Sequence, residues 1–240
     1  IDITVAGGTL PYTYAWDNGA TTEDLTAISG GLYNVTITDI NGCTITGSYN
    51  VFEPAALTLS STQVNVSCNG LSDASIDVSV TGGTLPYSYD WNGGVWNSQD
   101  LSGLSVGTYT LIVTDGNGCT DQLVVTITEP LVLSVSGVIT DVDCNGNANG
   151  AIDITVAGGT LPYTYAWDNA ATTEDLTGLS GGSYNVTITD FNGCVVSGTY
   201  NVFEPTALTL SGVVTDVDCN GNTTGAVDIT VGGGMLPYTF

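Results

Sequence analysis

The sequence predicts an all-β protein built as an elongated array of tandem repeats of about 75 residues. Residues 1–43 and 152–194 are identical at 38 of 43 positions, and residues 76–119 hold a more distant copy between them. Apolar and polar residues alternate, as in the run from Ile76 to Val80. Alternation with a period of two is typical of strands with one buried face. No segment of useful length shows helical spacing, so we expect little or no helix.

Each repeat is long enough to be a small domain. A period of about 75 residues exceeds the roughly 20 to 50 residues of a solenoid repeat and suffices for a self-contained core. A Glu-Pro pair recurs at the same place in each copy and marks the predicted boundaries. The predicted division is the C-terminal part of one repeat, two complete repeats and the N-terminal part of a fourth, at residues 1–54, 55–130, 131–205 and 206–240. On this prediction the parent protein is longer at both ends.

Strands can be placed within the second repeat. The five predicted strands are Leu57–Ser67, Ser75–Val80, Tyr87–Trp91, Gly107–Asp115 and Cys119–Thr128. Asn117-Gly118 is a tight hairpin signal, because both central residues of a type I′ turn need positive φ. Trp91 and Tyr109 resemble the core Trp and the tyrosine corner of immunoglobulin-like sandwiches. We therefore predict an immunoglobulin-like β-sandwich of about seven strands per repeat, held together by apolar packing because the usual disulfide between its sheets is missing.

The charge composition excludes several classes of function. The chain contains no Lys, Arg or His, and its 24 acidic residues give a formal net charge of −24. Without cations it has no countercharge for phosphates, so nucleic acid is not expected as a partner and anionic membrane surfaces repel it. No apolar run approaches the length of a membrane span. Histidine and lysine chemistry is absent, and the acids recur with the repeat rather than forming one cluster, so we do not expect an enzyme.

The six cysteines predict disulfides and an oxidising, extracellular environment, because no C-x-x-C pair suggests zinc. They occur in two contexts, Cys-Asn-Gly at 68, 144 and 219, and Asn-Gly-Cys at 43, 119 and 194. One pairing closes each repeat on itself, with Cys68–Cys119 and Cys144–Cys194, and leaves Cys43 and Cys219 to other partners. A second pairing crosses each boundary, with Cys43–Cys68, Cys119–Cys144 and Cys194–Cys219. A third alternative is bonding between neighbouring repeats, or free thiols.

Two acidic segments suggest a calcium site as an alternative to simple turns. They match the opening half of a calcium loop, D-x-D-x-N-G, through Asp141, Asp143 and Asn145 and through Asp216, Asp218 and Asn220. The match then fails, because a helical calcium loop needs a Glu at its twelfth position, where Ile152 stands. The competing interpretation is a turn in which Asp and Asn bond their own backbone. No other cofactor is expected.

The Gly-Gly-Thr-Leu-Pro-Tyr loops suggest a second binding alternative. They are followed by Tyr14, Tyr89 and Tyr165, whose rings could offer aromatic faces to sugars. More often, loops of this kind pack on their own domain. Surface polysaccharide is therefore retained as an alternative partner, beside neighbouring repeats of the same chain and other copies of the filament.

The ordered motifs resemble those of a known repeat family. Cys-Asn-Gly, Gly-Gly-Thr-Leu-Pro-Tyr, a Tyr-x-(Val/Leu)-x-(Ile/Val)-Thr-Asp run, Asn-Gly-Cys and Glu-Pro follow one another along the chain. This order resembles the SprB repeat of giant surface adhesins in gliding bacteria. The resemblance implies export by the type IX secretion system, display outside the bacterial outer membrane and a role in adhesion and gliding motility. It implies no catalytic residues.

The resulting prediction is a structural and adhesive stalk segment of a large extracellular repeat adhesin. Like charges along such a stalk would resist its collapse and bundling. The alternatives are a calcium- or glycan-binding module and a self-assembling extracellular fibre subunit.

Overall fold

The computed structural model describes residues 1–240 and contains strands, turns and loops but no helix. It therefore has no helix that could cross a membrane. The strands are β1 (Thr13–Trp16), β2 (Gly31–Thr38), β3 (Thr44–Val51), β4 (Thr58–Val64), β5 (Ala74–Thr81), β6 (Ser88–Trp91), β7 (Leu101–Leu104), β8 (Gly107–Thr114), β9 (Thr120–Ile127), β10 (Ser134–Thr140), β11 (Gly150–Ala157), β12 (Thr164–Trp167), β13 (Leu176–Leu179), β14 (Gly182–Thr189), β15 (Val195–Val202), β16 (Thr209–Thr215) and β17 (Ala226–Gly232).

The sheets repeat along the chain in the same order. Residues 131–205 form two three-stranded sheets, β10-β11-β13 and β12-β14-β15, and residues 55–130 form β4-β5-β7 and β6-β8-β9. This division of strands between two sheets confirms the predicted all-β, immunoglobulin-like class. The expectation of about seven strands is wrong, because each of these repeats has six. The five strands predicted in the second repeat are all present, and the one that was missed is the four-residue β7.

The chain divides into two compact units. The first comprises Ile1–Ser61, Val78–Gln99 and Thr110–Val124, and the second comprises Thr62–Asp77, Asp100–Tyr109 and Val125–Phe240. The core of the first unit includes a cluster in which Ile3 and Leu25 join Trp16, Val35 and Ile37 of the sheet β1-β2-β3. The borders of these units do not test the predicted repeat boundaries, which stay a prediction.

The sandwich of residues 131–205 lies wholly in the second unit. Its apolar residues face inward from both sheets and form one buried cluster, Val142, Ile152, Ile154, Trp167, Leu176, Leu179, Val186, Ile188, Tyr200 and Val202. Alternation along β14, where Val186 and Ile188 are buried and their neighbours are less so, places one face of the strand on this core. Burial of apolar side chains between the two facing sheets therefore holds them together without an inter-sheet disulfide.

A buried tryptophan and a half-buried tyrosine hold the sandwich together. Trp167 is 4% exposed, and its indole N–H donates to the Thr173 carbonyl oxygen at 2.9 Å. The Tyr184 hydroxyl donates to the Ser180 carbonyl oxygen, four residues upstream, at 3.0 Å. This hydrogen bond is a tyrosine corner, and Tyr109 makes the same bond to Ser105. The two aromatic signals in the sequence therefore predicted both structural roles.

The two ends of this sandwich carry different loops. We call residues 158–163 and 190–194 the loop end, where the Phe191 N–H donates to the Thr160 carbonyl oxygen at 2.9 Å. We call residues 141–149 and 203–205 the Glu-Pro end, where the Val142 N–H donates to the Phe203 carbonyl oxygen at 2.9 Å. Strand β15 has 8 residues and runs from one end to the other. At about 3.3 Å per residue, it separates the two ends by roughly 26 Å.

Candidate inter-repeat junction

A disulfide joins the second repeat to the third. Cys68, in the turn between β4 and β5, is bonded to Cys194, in the turn between β14 and β15. The two residues are 126 positions apart in sequence, and their Cα atoms lie 5.7 Å apart, a usual separation for a disulfide. One cysteine comes from each sequence context. The bond therefore links a Cys-Asn-Gly turn to the Asn-Gly-Cys turn of the repeat that follows it.

Both pairings spelled out from the sequence are wrong. Cys119 and Cys144 are free, so neither Cys68–Cys119 nor Cys144–Cys194 forms. The reason is visible in the third repeat, where Cys144 lies at the Glu-Pro end and Cys194 at the loop end. The boundary-crossing pairing fails because Cys68 and Cys194 are bonded to each other rather than to Cys43 and Cys219. The pairing found is the neighbour-to-neighbour alternative.

The Cys-Asn-Gly turn is held in place by the Glu-Pro pair of its own repeat. The Gly70 N–H donates to Glu129 Oε2 at 2.7 Å, and Asn69 Nδ2 donates to the Pro130 carbonyl oxygen at 3.1 Å. Just before the turn, Val66 is 3% exposed, and its N–H donates to the Thr128 carbonyl oxygen at 3.1 Å. From sequence, Glu-Pro marked only a boundary. In the structure it positions the cysteine that makes the junction.

The Asn-Gly-Cys turn is organised by a buried aspartate. Asp190 Oδ1 accepts from the backbone N–H groups of Asn192 at 2.9 Å and Cys194 at 2.8 Å. Asp190 Oδ2 accepts from the Thr160 N–H at 2.7 Å, which ties this turn to the Gly-Gly-Thr loop. The carboxylate thus satisfies three backbone donors and fixes where Cys194 emerges.

The same carboxylate recurs in the other repeats, with consequences for acidity. Burial raises the pKa of Asp115, but hydrogen bonds from the backbone N–H groups of Thr84, Cys119 and Asn117 outweigh it, so the pKa lies below its ordinary value. At Asp39, the N–H groups of Cys43 and Thr9 likewise lower the pKa. These residues are therefore charged turn anchors at neutral pH.

One amide side chain spans the junction directly. Asn192 Nδ2 donates to the Ser67 carbonyl oxygen at 2.9 Å and to Thr160 Oγ1 at 3.1 Å. Ser67 immediately precedes Cys68, so this amide contacts the backbone beside the disulfide. The loop end of the third repeat therefore contacts the Cys-Asn-Gly turn of the second through both a covalent bond and a hydrogen bond.

Each predicted calcium residue of the third repeat makes hydrogen bonds to other groups of the protein. Asp141 Oδ1 accepts from the Phe203 N–H at 2.8 Å, and Asp143 Oδ1 accepts from Asn147 Nδ2 at 2.7 Å. Asn145 directs its amide nitrogen toward Glu204 and the Pro205 carbonyl oxygen. The hydrogen bond from Asn147 is the largest of the influences that lower the pKa of Asp143.

The equivalent residues of the fourth repeat are exposed. Asp218 Oδ1 accepts from Asn222 Nδ2 and Thr224 Oγ1, both at 2.7 Å, and these bonds lower its pKa. Asp216 and Asn220 are exposed to solvent. The structure contains no group of three or more His, Cys, Asp or Glu residues able to hold a metal ion. Calcium binding at Asp141, Asp143 and Asn145, or at Asp216, Asp218 and Asn220, stays a prediction.

The tyrosines considered for sugar binding are half-buried and have acidic or amide neighbours. Burial, followed by the charge of Glu174, raises the pKa of Tyr165, and burial and Glu23 raise the pKa of Tyr14. The Tyr89 hydroxyl donates to Gln99 Oε1 at 3.0 Å. Each hydroxyl is therefore directed toward its own domain, which is the arrangement of a packed loop.

The Gly-Gly-Thr-Leu-Pro-Tyr loop is closed on its own repeat. The Tyr163 hydroxyl donates to the Gly158 carbonyl oxygen at 2.5 Å. Gly158 has φ of +76°, and a Cβ there would lie 2.0 Å from the Val132 carbonyl oxygen, so only glycine fits. Leu161 projects from the loop and is 71% exposed. The sequence reasoning missed this exposed leucine, which the repeated motif places at the same position in every copy.

Comparison with known proteins identifies one family model that matches the chain. This model, described as SprB repeat, matches residues 1–21, 60–95, 136–172 and 211–240, which together make up just over half of the chain. No curated protein matches the sequence.

Several solved structures are similar to the chain. The N-terminal eight Ig domains of Down Syndrome Cell Adhesion Molecule are 13% identical, with a TM-score of 0.41, over 79% of this chain and 32% of that one. The Dpr2 Ig1-Ig2 structure in complex with DIP-Theta Ig1-Ig3 is 12% identical, with a TM-score of 0.27, over 81% and 90%. SGBP-B of the Bacteroides ovatus mixed-linkage glucan utilization locus, in complex with a mixed-linkage heptasaccharide, is 17% identical, with a TM-score of 0.19, over 89% and 65%. The chain thus spans about a third of the length of the first of these structures.

Proposed function

The chain belongs to the SprB repeat family, and from this premise we propose that it is a load-bearing stalk segment of a large cell-surface adhesin. The observation that carries the proposal is the Cys68–Cys194 bond, because it joins successive repeats covalently. A stalk has to keep its length under tension, and noncovalent contacts between small domains yield more readily than a covalent bond.

The position of the bond determines which residues bear load. Tension applied at the two chain ends passes through the disulfide, so it bypasses the loop between Cys68 and Cys194, which are 126 positions apart in sequence. That bypassed loop includes most of the second repeat and most of the third. Unfolding of either sandwich would therefore lengthen the oxidised chain very little, which is the property that a stalk requires.

The charge composition supports the same function. The net charge of −24 is not offset by any Lys or Arg, so neighbouring stalks repel one another. The absence of Lys and Arg also removes the cleavage sites of trypsin-like proteases, an advantage for a protein displayed outside the cell. We place this segment on the outer face of the bacterial outer membrane, after type IX secretion, in a filament that supports attachment and gliding.

Ligand binding is the competing function, favoured by the exposed leucine of each Gly-Gly-Thr-Leu-Pro-Tyr loop and by the acidic turns. Calorimetric titration of the oxidised full chain with CaCl2 and, separately, with a mixed-linkage glucan oligosaccharide distinguishes the two. A stalk gives no saturable heat with either probe. Saturable heat with CaCl2 that disappears in an Asp141→Asn, Asp143→Asn double variant would contradict the stalk function and identify a calcium-binding module.

A further inference from the structure

We propose that the Cys68–Cys194 bond is one rung of a disulfide ladder, in which every Cys-Asn-Gly cysteine bonds the Asn-Gly-Cys cysteine of the following repeat. On this rule, Cys144 and Cys219 take partners in the repeats after their own. Cys43 and Cys119 take partners in the repeats before their own. The partner is chemically defined, because it is the thiol of another copy of the same repeat. The inference goes beyond the stalk function, since a stalk can carry load with a single bridged junction.

The free Cys144 turn is built like the bonded Cys68 turn. The Gly146 N–H donates to Glu204 Oε1 at 2.6 Å, as Gly70 donates to Glu129. Asn145 Nδ2 donates to the Pro205 carbonyl oxygen at 3.1 Å, the distance found between Asn69 and Pro130. The same set of bonds therefore presents the free and the bonded cysteine, and Cys144 is exposed.

The Asn-Gly-Cys turns, which form the other half of the junction, also share one geometry. The Cys119 N–H donates to Asp115 Oδ1 at 2.8 Å, as the Cys194 N–H does to Asp190. The Cys43 N–H donates to Asp39 Oδ1 at 2.9 Å. The Asn-Gly-Cys turns at Cys43 and Cys119 are thus preformed without a disulfide, and both cysteines are exposed. Forming a rung orders no new turn on either side, so little conformational entropy opposes it.

Part of a second junction is already present at Cys144. A cavity of about 650 Å³ is lined by Cys144 and Asn145 on one side and by Gly234, Met235 and Pro237 on the other. These last residues form the Gly-Gly-Met-Leu-Pro loop of the fourth repeat, which corresponds to residues 158–162 of the third. At the bonded junction, that same loop supplies Thr160, whose hydroxyl accepts the Asn192 amide beside Ser67. Cys144 therefore faces the loop end of the next repeat, as Cys68 does.

The chemistry of a rung is ordinary thiol oxidation. Two cysteine thiols lose two protons and two electrons and form one S–S bond. A disulfide co-reactant, either oxidised glutathione or the disulfide of an oxidoreductase, takes up the electrons and protons and is released as two thiols. Such a reaction requires the oxidising extracellular setting that the family implies.

The test extends the full chain until the fourth repeat is complete. A second copy of residues 15–54 is added after Phe240, where the repeats align, and the native Cys43 is replaced by serine so that the added cysteine has a unique peptide. The chain is oxidised with glutathione, cleaved under non-reducing conditions with chymotrypsin and Glu-C, and analysed by mass spectrometry. We expect Cys144 bonded to the added cysteine, beside Cys68–Cys194. Cys144 left free, or bonded to any other cysteine, overturns the ladder.

A second variant keeps the inference falsifiable if the added segment does not fold. In the original chain, Cys68→Ser removes the only thiol that the rule assigns to Cys194. We then expect five free thiols in the monomer under the same oxidation, measured by alkylation under denaturing conditions. An internal bond from Cys194 to Cys144 or Cys219 overturns the ladder, because it shows that these cysteines reach each other.

Discussion

Replacing Cys68 by serine should allow the loop that the disulfide encloses to extend under force. The bond encloses 126 residues of sequence separation, and an extended chain gains about 3.6 Å per residue, so the oxidised protein conceals roughly 450 Å of contour length. Only residues 1–68 and 194–240 lie outside the loop, and they extend to about 400 Å. The experiment is single-molecule stretching by optical tweezers or atomic force microscopy, with handles at the two chain ends.

The predicted result is a difference in final length between two otherwise matched proteins. The oxidised wild-type chain should stop at about 400 Å, whereas Cys68→Ser should reach about 850 Å. Addition of dithiothreitol should extend the wild-type chain to the length of the variant. Cys144→Ser is the matched control, because Cys144 occupies the same kind of turn but is free, and its length should equal that of wild type. Equal lengths for wild type and Cys68→Ser, under oxidising conditions, would refute the proposed load path.

Three further predictions concern stability. The pKa values of Asp39 and Asp115 are lower in the folded state than in the unfolded state, so their stabilisation is complete only above about pH 5 and is lost as the pH falls through the folded-state values. Thermal melts between pH 2 and 6 should show this loss, and Asp115→Asn should reduce the dependence of the melting temperature on pH. Tyr184→Phe removes the bond to Ser180 and should cost about 1 kcal/mol in urea unfolding, an expectation that an unchanged midpoint would contradict. Because only carboxylates carry side-chain charge, raising NaCl from about 10 to 500 mM should raise the melting temperature, and a fall would argue against self-repulsion.

The sequence was sufficient to predict the sandwich itself. Strict alternation in segments such as Ile76 to Val80 reports a face that is buried locally, and a tryptophan and a tyrosine at fixed offsets report the core and the corner. The four-residue strand at Leu101–Leu104 was missed because so short a segment shows too few alternations to register. These are properties of one repeat, and the periodicity of a sequence predicts structure within a repeat.

The junction, in contrast, depends on how one repeat packs against the next. Whether Cys144 meets Cys194 is decided by which end of the sandwich each turn occupies. Cys194 immediately precedes β15, whereas the Cys144 turn lies beside Phe203, which follows β15. The roughly 26 Å length of β15 separates the two cysteines of one repeat, whereas the packing of successive repeats brings Cys68 to Cys194. The spacing of the cysteines in the sequence is compatible with every pairing, so the bonding partner of each cysteine could be identified only from the three-dimensional structure.

The turn aspartates have a structural role that their sequence context did not reveal. By sequence alone, Asp39 and Asp115 are acidic residues next to Asn-Gly turns. In the structure, each binds backbone N–H groups of its own turn and of the Gly-Gly-Thr loop. The discriminating signal was available in the sequence, since these aspartates always accompany Gly-Gly-Thr in the same repeat, but only the fold shows that the two loops share one end.

The disulfide between Cys68 and Cys194 underlies the proposed stalk function. Non-reducing peptide mapping of the purified 240-residue chain, with proteases that need no basic residue, detects this bond without any variant. We expect one cross-linked peptide pair, containing Cys68 and Cys194, with Cys43, Cys119, Cys144 and Cys219 recovered as free thiols. Recovery of Cys68 linked to Cys119, or of Cys144 linked to Cys194, would contradict it.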